Sequence, residues 1–546
     1  MLHICNQCVI ISSLYVNCIG LRAPGKSLAG ELYSLDKLAI IKYYASSYEK
    51  EEKMKKRNLQ RIFAAFMATA MVVGMTACKD EEKTPDTTNP TDTPVTGTDK
   101  PTDEPAKPTD EPVVTAPVVT EAPVPADCQD LGGMEIIIRD WWSPEDPGEP
   151  KTEYEEAQRQ YQKEMMDKYN FTIRSQAISD WGSAPNDFVE YATNGGDDKN
   201  YVFVLRNDPA VVSAMASGLM YDLSKMPDIL DFSSEKFAQN RTHELYSYGS
   251  SIYCCFAGPA EPRDGIFFNK SVLKEAGINP DDIYDMQKNG TWTWEEFEKL
   301  LAKVQRDTDG DGQDDVFGLC CNNSVCVNAA VISNGGKYVG KDASGKFTYN
   351  LEDPETTEAL NWIVDIFTKY NQHDIEGAAW NYYMDEFKSG VVGFMEDQEY
   401  QPTASGQFYE TNFEMGFVMF PKGPKASTLL NRWDNNPHCI PACYGDERAR
   451  KIAFAWNLYT NPVPGYEDYN GYVETAKNSN FDERAMDETV PMMSDPAHGL
   501  NTYYSVIPDL NAGPEFVWSV GPNADIAALQ EQVRDTWKAY IDAANK

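Results

Sequence analysis

Asp140-Trp141-Trp142 and Trp433-Asp434 each set an indole beside a carboxylate in a loop next to a strand. That pairing has a chemistry. One face of a pyranose is apolar C–H and stacks on an aromatic ring, while its hydroxyls want planar partners such as Asp, Asn and Arg. Arg206-Asn207-Asp208 supplies that second kind of group. Trp181 and Trp380 are weaker candidates. Trp292, Trp362, Trp456 and Trp537 fall in helical stretches and read as core. A different chemistry is offered by "DTDGDGQDD", with Asp307, Asp309, Asp311, Gln313 and Asp315 around Gly312. The D-x-D-x-D-G spacing is that of a calcium loop, in which hard oxygens converge on a turn that glycine permits. Position twelve is Gly318 rather than Glu, so the reading competes with a plain acidic turn. A bound calcium would pin the loop; no other cofactor is required.

These residues need elements to hold them. "MEIIIRDWW" reads as a buried strand running into a loop, and "KNYVFVLRNDP" as another. Helical stretches such as "EYEEAQRQYQKEMMDKYN" and "AVVSAMASGLMYDLS" alternate with strands, which argues for an α/β fold with mostly parallel sheets flanked by helices. In such sheets ligands meet the loops at the carboxyl ends of strands, which selects 140–142 and 206–208. "TWTWEEFEKLLAKVQRD" carries a capping box, Thr293 to Glu296. Asp353-Pro354 opens another helix.

The 546 residues exceed one typical domain. The net charge is −37, from 85 acids against 48 bases. That balance excludes nucleic acid and anionic membrane surfaces, both of which demand basic patches. Of 12 cysteines, Cys128, Cys254, Cys255, Cys320, Cys321, Cys326, Cys439 and Cys443 lie in the folded part. Their spacings do not match zinc sites, so free and mostly buried thiols are expected, with a Cys439–Cys443 disulfide left open.

The N-terminal region has its own logic. Lys55, Lys56, Arg57 and Arg61 precede an apolar stretch, Ile62 to Met75, that is too short to span a bilayer comfortably. It ends Met75-Thr76-Ala77-Cys78, similar to a bacterial lipobox with Cys78 as the lipidation site. Residues 54–77 are therefore expected to be a lipoprotein signal peptide. Lys50 to Met54 can be encoded by a purine-rich run before a start codon, so 1–53 is expected to be a mis-assigned leader. Residues 79–132, rich in Pro, Thr, Asp and Glu, read as a disordered linker.

From here the order of motifs becomes recognisable. "FFNKSVLKEAGI", "GTWTWEEFEKLLAKV", "DTDGDGQDDVFGL", "NGG" followed by "DPETTEALNWIVDIF", "DEFKSGVVGFMED", "FPKGP" and "RKIAFAWNLYTNP" occur in sequence. Together they resemble the family 1 extracellular solute-binding proteins, the lipoprotein receptors of carbohydrate ABC importers, related to maltose-binding protein. The proline usual two residues before Thr293-Trp294 is missing, with Thr291 in its place, and Gly393-Phe394 replace the usual alanine. The resemblance implies a two-lobed, periplasmic-binding-protein-like fold of type II, with a hinge crossed more than once. It implies lobe 1 as 133–262 plus 392–445, and lobe 2 as 263–391 plus 446–546. It adds Glu261 and Arg263 near the first crossing, Glu396, Asp397 and Tyr400 past the return strand, and a ligand aromatic near Trp433.

The expectation is a non-enzymatic, monomeric receptor on the outer face of the cell membrane, held by its lipid. It would capture a carbohydrate, an oligosaccharide above all, for an ABC permease. A non-sugar solute on the same fold and a surface polysaccharide hydrolase are the alternatives. No G-x-S-x-G, H-E-x-x-H or Walker loop supports the last.

Overall fold

The computed structural model describes residues 124–546, apart from 372–377, 380, 405 and 412. The expected leader, signal peptide, Cys78, most of the linker and Trp380 lie outside the described residues. Two four-stranded sheets dominate. Their strands, in chain order, are β1 (Met134–Asp140), β2 (Phe171–Ala177), β3 (Asn200–Val204), β4 (Asp264–Asn269), β5 (Phe317–Cys321), β6 (Val392–Gln398), β7 (Met415–Met419) and β8 (His438–Cys439).

The first sheet has the order β8-β3-β1-β2. β1 runs parallel to both neighbours, with Ile136 opposite Ile173 and Asn200, while β8 is antiparallel to β3. Helix α1 (Glu153–Tyr169) connects β1 to β2. Thr152 caps it by accepting from the Glu155 amide, and Asn170 ends it in the left-handed region at φ 54°. Ile136, Ile138, Phe171, Ile173, Val202 and Val204 form one core with Ile452 and Trp456 of α2 (Gly445–Tyr459).

The second sheet has the order β7-β4-β6-β5. Only β5 and β6 are parallel; β4 is antiparallel to both its neighbours. This lobe thus departs from the mostly parallel expectation, because the strand that enters from the hinge runs against the rest. Phe268, Leu319, Phe394 and Phe417 are buried here, and each such side chain contributes about 1.5–3 kcal/mol relative to exposure. Thr293 caps the helix Trp294–Val304 as expected, accepting from the Glu296 amide at 3.4 Å. Pro354 opens the helix Pro354–Tyr370. Trp292, Trp456 and Trp537 are buried, and Trp362 stacks on Trp294 at 4.1 Å. Among the described residues no helix is long and apolar enough to cross a membrane.

Two expected boundaries are corrected. β6 and β7 belong to the second sheet, so 392–419 is part of lobe 2 rather than lobe 1. The chain returns to lobe 1 for β8 and α2, which places 446–459 there as well. It then leaves again, and the Asn480 amide bonds the Pro402 carbonyl at 2.9 Å. Ordered chain also starts before 133: Cys128 and Leu131 are buried, and Arg450 clamps Asp127 at 2.8 Å. The eight cysteines are free thiols, Cys439 and Cys443 included, and all except Cys443 are buried.

Candidate functional site

Parallel strands end on one side of their sheet, so the loops after β1, β2 and β3 share an edge. The corresponding edge of the second sheet carries the ends of β5 and β6 and the start of β4, since Asp264 lies opposite Gln398. The hinge joins these edges. Arg432 meets Asp264 at 3.0 Å, and six residues later His438 pairs with Val204 at the end of β3. Six residues span at most about 20 Å, so the two edges flank a common cleft.

The loops of the first edge carry three tryptophans. Trp141 and Trp142 meet edge to face at 4.9 Å, and Trp142 is 54% exposed. Trp181, in the loop after β2, is 61% exposed. Arg206 lies over its ring at 4.3 Å, donates Nε–H to its carbonyl at 3.0 Å, and pairs with Asp208 at 2.7 Å. Exposed indoles in strand-end loops suit a ligand's apolar face, and one of these, Trp181, lies against a fixed guanidinium. Asn207 is half-buried between Arg206 and Asp208. Asp208 also accepts from the Ala210 amide and caps the helix Pro209–Ala216.

Asp140 does different work from that expected. It is buried and accepts from the Trp142 amide, the Ser143 amide and the Ser143 hydroxyl at 3.3, 3.1 and 2.5 Å. Its acceptors are occupied by the turn that aims Trp142, so it is a positioning residue. Trp433 is corrected outright. It is 2% exposed, Arg241 stacks on it at 4.8 Å, and a Cβ at Gly499 would lie 1.7 Å from its ring. It packs the hinge instead of facing a ligand.

The hinge is a charged weave. The Asp434 amide donates to the Glu261 carbonyl and the Arg263 amide to the Arg432 carbonyl, both at 3.1 Å. The Arg263 guanidinium reaches Glu261 at 2.7 Å, Glu399 at 3.2 Å and the Asp434 carbonyl at 2.8 Å. Arg432 bridges Asp264 and Asp434. Burial opposes charge on both arginines, but the facing carboxylates more than offset it and hold them protonated. Glu261 and Asp434 stay half-exposed and present carboxylate oxygen to the cleft edge.

On the second edge Tyr400 is 38% exposed. Glu396 and Asp397 do not. Glu396 is fully buried, and neither of its oxygens has a donor among the described residues. Burial, then Asp264 beside it, pushes its carboxyl well up. Burial pushes Asp397 up to about 6, against hydrogen bonds from the Gln398 amide and Gln401. Both lie beneath the surface rather than on it.

Asn322 and Asn323 were missed. They follow β5 at the same edge; Asn322 caps the helix Asn323–Ser333, and Asn323 accepts from Asn371 at 2.8 Å. The strand-end rule that selected 206–208 would have selected them too.

The acidic loop 307–315 enters β5 at its other end, away from this edge. Asp307, Asp309 and Asp315 bring ligand oxygens within 4.8 Å of one another, while Asp311 is not part of that group. Asp307 accepts from the Gly310 and Gly312 amides at 2.7 and 2.8 Å, which lowers its pKa.

No curated protein matches the chain. It is similar to solved structures of UspC from M. tuberculosis, at 14% identity over 75% of this chain and 100% of that one, with a TM-score of 0.49. It is likewise similar to the cyclic alpha-maltosyl-1,6-maltose binding protein from Arthrobacter globiformis, at 16% identity over 76% and 98% of the two chains, with a TM-score of 0.49. A third is UgpB from Mycobacterium tuberculosis in complex with glycerophosphocholine, at 16% identity over 76% and 99%, with a TM-score of 0.48. Residues 180–436 match the model for bacterial extracellular solute-binding proteins. That match starts in the loop after β2, runs through the second sheet and ends at the hinge.

Proposed function

We propose that this receptor captures a carbohydrate, an oligosaccharide above all, in the cleft between its sheets. The observation that carries the reading is the pair of exposed indoles on the strand-end loops of one edge, Trp142 and Trp181, with Arg206 laid over the Trp181 ring. Flat apolar surface next to planar donors is what a pyranose ring needs, and half-exposed Glu261, Asp434 and Tyr400 add acceptors and a ring across the hinge. Ligand that touches both edges favours a closed arrangement, because only there are all its contacts made. In this reading the closed receptor docks on an ABC permease as a monomer, and Cys78 carries the lipid that keeps it at the outer face of the membrane.

A thermal-shift screen over mono- and oligosaccharides, amino acids, peptides and polyamines tests the reading. A ligand bound only by the native state raises the melting temperature. An oligosaccharide is expected to give the largest shift; a peptide or polyamine giving it would assign a non-sugar solute. A reducing-sugar assay on polysaccharide is expected to show no release, and steady release would mean a hydrolase.

A further inference from the structure

A cavity of about 330 Å³ lies apart from the cleft. None of its lining residues belongs to the loops that carry Trp142, Trp181, Arg206 or Tyr400. It is bounded by Arg241, the side and end of the helix Asn323–Ser333, the strand Val339–Lys341, and the segment Leu500–Tyr504. Its charge is anomalous for this chain. The protein has 85 acids against 48 bases, yet Arg241, Lys337 and Lys341 line the cavity and no Asp or Glu does.

The cations are placed with care. Arg241 adopts the left-handed backbone region at φ 52°, a conformation that costs a non-glycine residue about 1–2 kcal/mol and persists where surroundings enforce it. Its carbonyl accepts from Asn501 at 3.1 Å, and one guanidinium nitrogen donates to the Gly499 carbonyl at 2.7 Å. Its Nε is buried with no acceptor among the described residues. Lys341 donates to the Glu244 carbonyl at 2.8 Å and to Ser247 at 3.2 Å, while an ammonium has three protons to give. Burial lowers its pKa to about 8, the sign of a cation short of solvation. Lys337 is exposed at the rim. The carbonyls of Val331 and Ile332 are taken by the Gly336 and Gly335 amides, so the helix end offers no competing acceptor there. The remaining wall includes Val331, Ile332, Tyr503 and Tyr504.

We propose that this cavity is a second ligand site, for a small organic anion that carries a carboxylate or phosphate on a compact apolar body. The guanidinium and two ammonium groups take the anionic head, and the tyrosines and aliphatic wall take the body. At roughly 30 Å³ per small group, the volume admits about ten non-hydrogen atoms.

Isothermal titration of the full chain with phenyl phosphate, benzoate and uncharged benzyl alcohol tests this. At least one anion is expected to bind, and the tighter of the two assigns the head group. Lys337→Gln and the Lys337→Gln/Lys341→Gln pair, with folds checked by circular dichroism, should weaken it, the pair by fivefold or more. Trp142→Ala should leave it unchanged. The proposal is overturned if neither anion binds wild type, if benzyl alcohol binds as tightly, or if the lysine variants bind like wild type. Loss in Trp142→Ala rather than in the lysine variants would place the anion in the cleft and overturn it as well. Oligosaccharide binding in the cleft is independent of every one of these outcomes.

Discussion

Trp142 and Trp433 both neighbour an aspartate-bearing loop, and they have opposite fates. Trp142 stands in water on a turn held by Asp140, while Trp433 is sealed against Gly499 and Arg241. Local sequence does not separate them, because the deciding contacts come from distant segments. Trp433→Ala is expected to lower folding stability by about 3–5 kcal/mol in a denaturant melt, and Trp142→Ala by about 0.5 or less; equal losses would contradict the assignment. The same blindness put Glu396 and Asp397 on the surface, since a buried carboxylate looks like any other acid in a list of residues. Asp397 makes a pH prediction. Its carboxyl titrates at about 6 in the fold, above the ordinary 3.8. Between those values the native state keeps a proton that the unfolded chain has lost, so this group makes stability fall as pH rises through that window. Asp397→Asn removes the slope. Relative to wild type it should gain on the order of 3 kcal/mol between about pH 4 and pH 6.5, and parallel stability curves would contradict it.

At the scale of elements, the strands and helices of the first sheet were legible because their periods and caps are strong: Ile136 and Ile138 alternate, and Thr152 and Asn170 bracket a helix. Sheet membership was not. The run "VGFMED" is buried along its whole length, and such a run fits either lobe equally well. Only pairing with β4 and β5 assigns it. The acidic loop is a second element whose meaning the spacing left open. Three of its four expected carboxylates converge. We propose calcium there, with Asp307, Asp309 and Asp315 as ligands and a structural role for the ion. Calorimetric titration should show calcium binding to wild type that Asp309→Ala weakens tenfold or more; the same response in both would make the loop an ordinary acidic turn.

The described residues form two lobes joined at a charged hinge, with the indoles on one lip and Tyr400 on the other. Its motif order revealed this architecture, since each motif is weak and their sequence is not. Where the protein sits is argued from Cys78. Cys78→Ser is expected to move the protein from the membrane fraction of its native host to the medium or soluble fraction; unchanged membrane association would contradict a lipid anchor. The central claim is that Trp142 and Trp181 form a platform for sugar. Isothermal titration of the best oligosaccharide from the screen into wild type and into Trp142→Ala/Trp181→Ala tests it most directly. Loss of two stacking faces should weaken binding about a hundredfold, the equivalent of roughly 3 kcal/mol, with the melting temperature of the free protein unchanged. An affinity equal to wild type in the double variant would contradict the account.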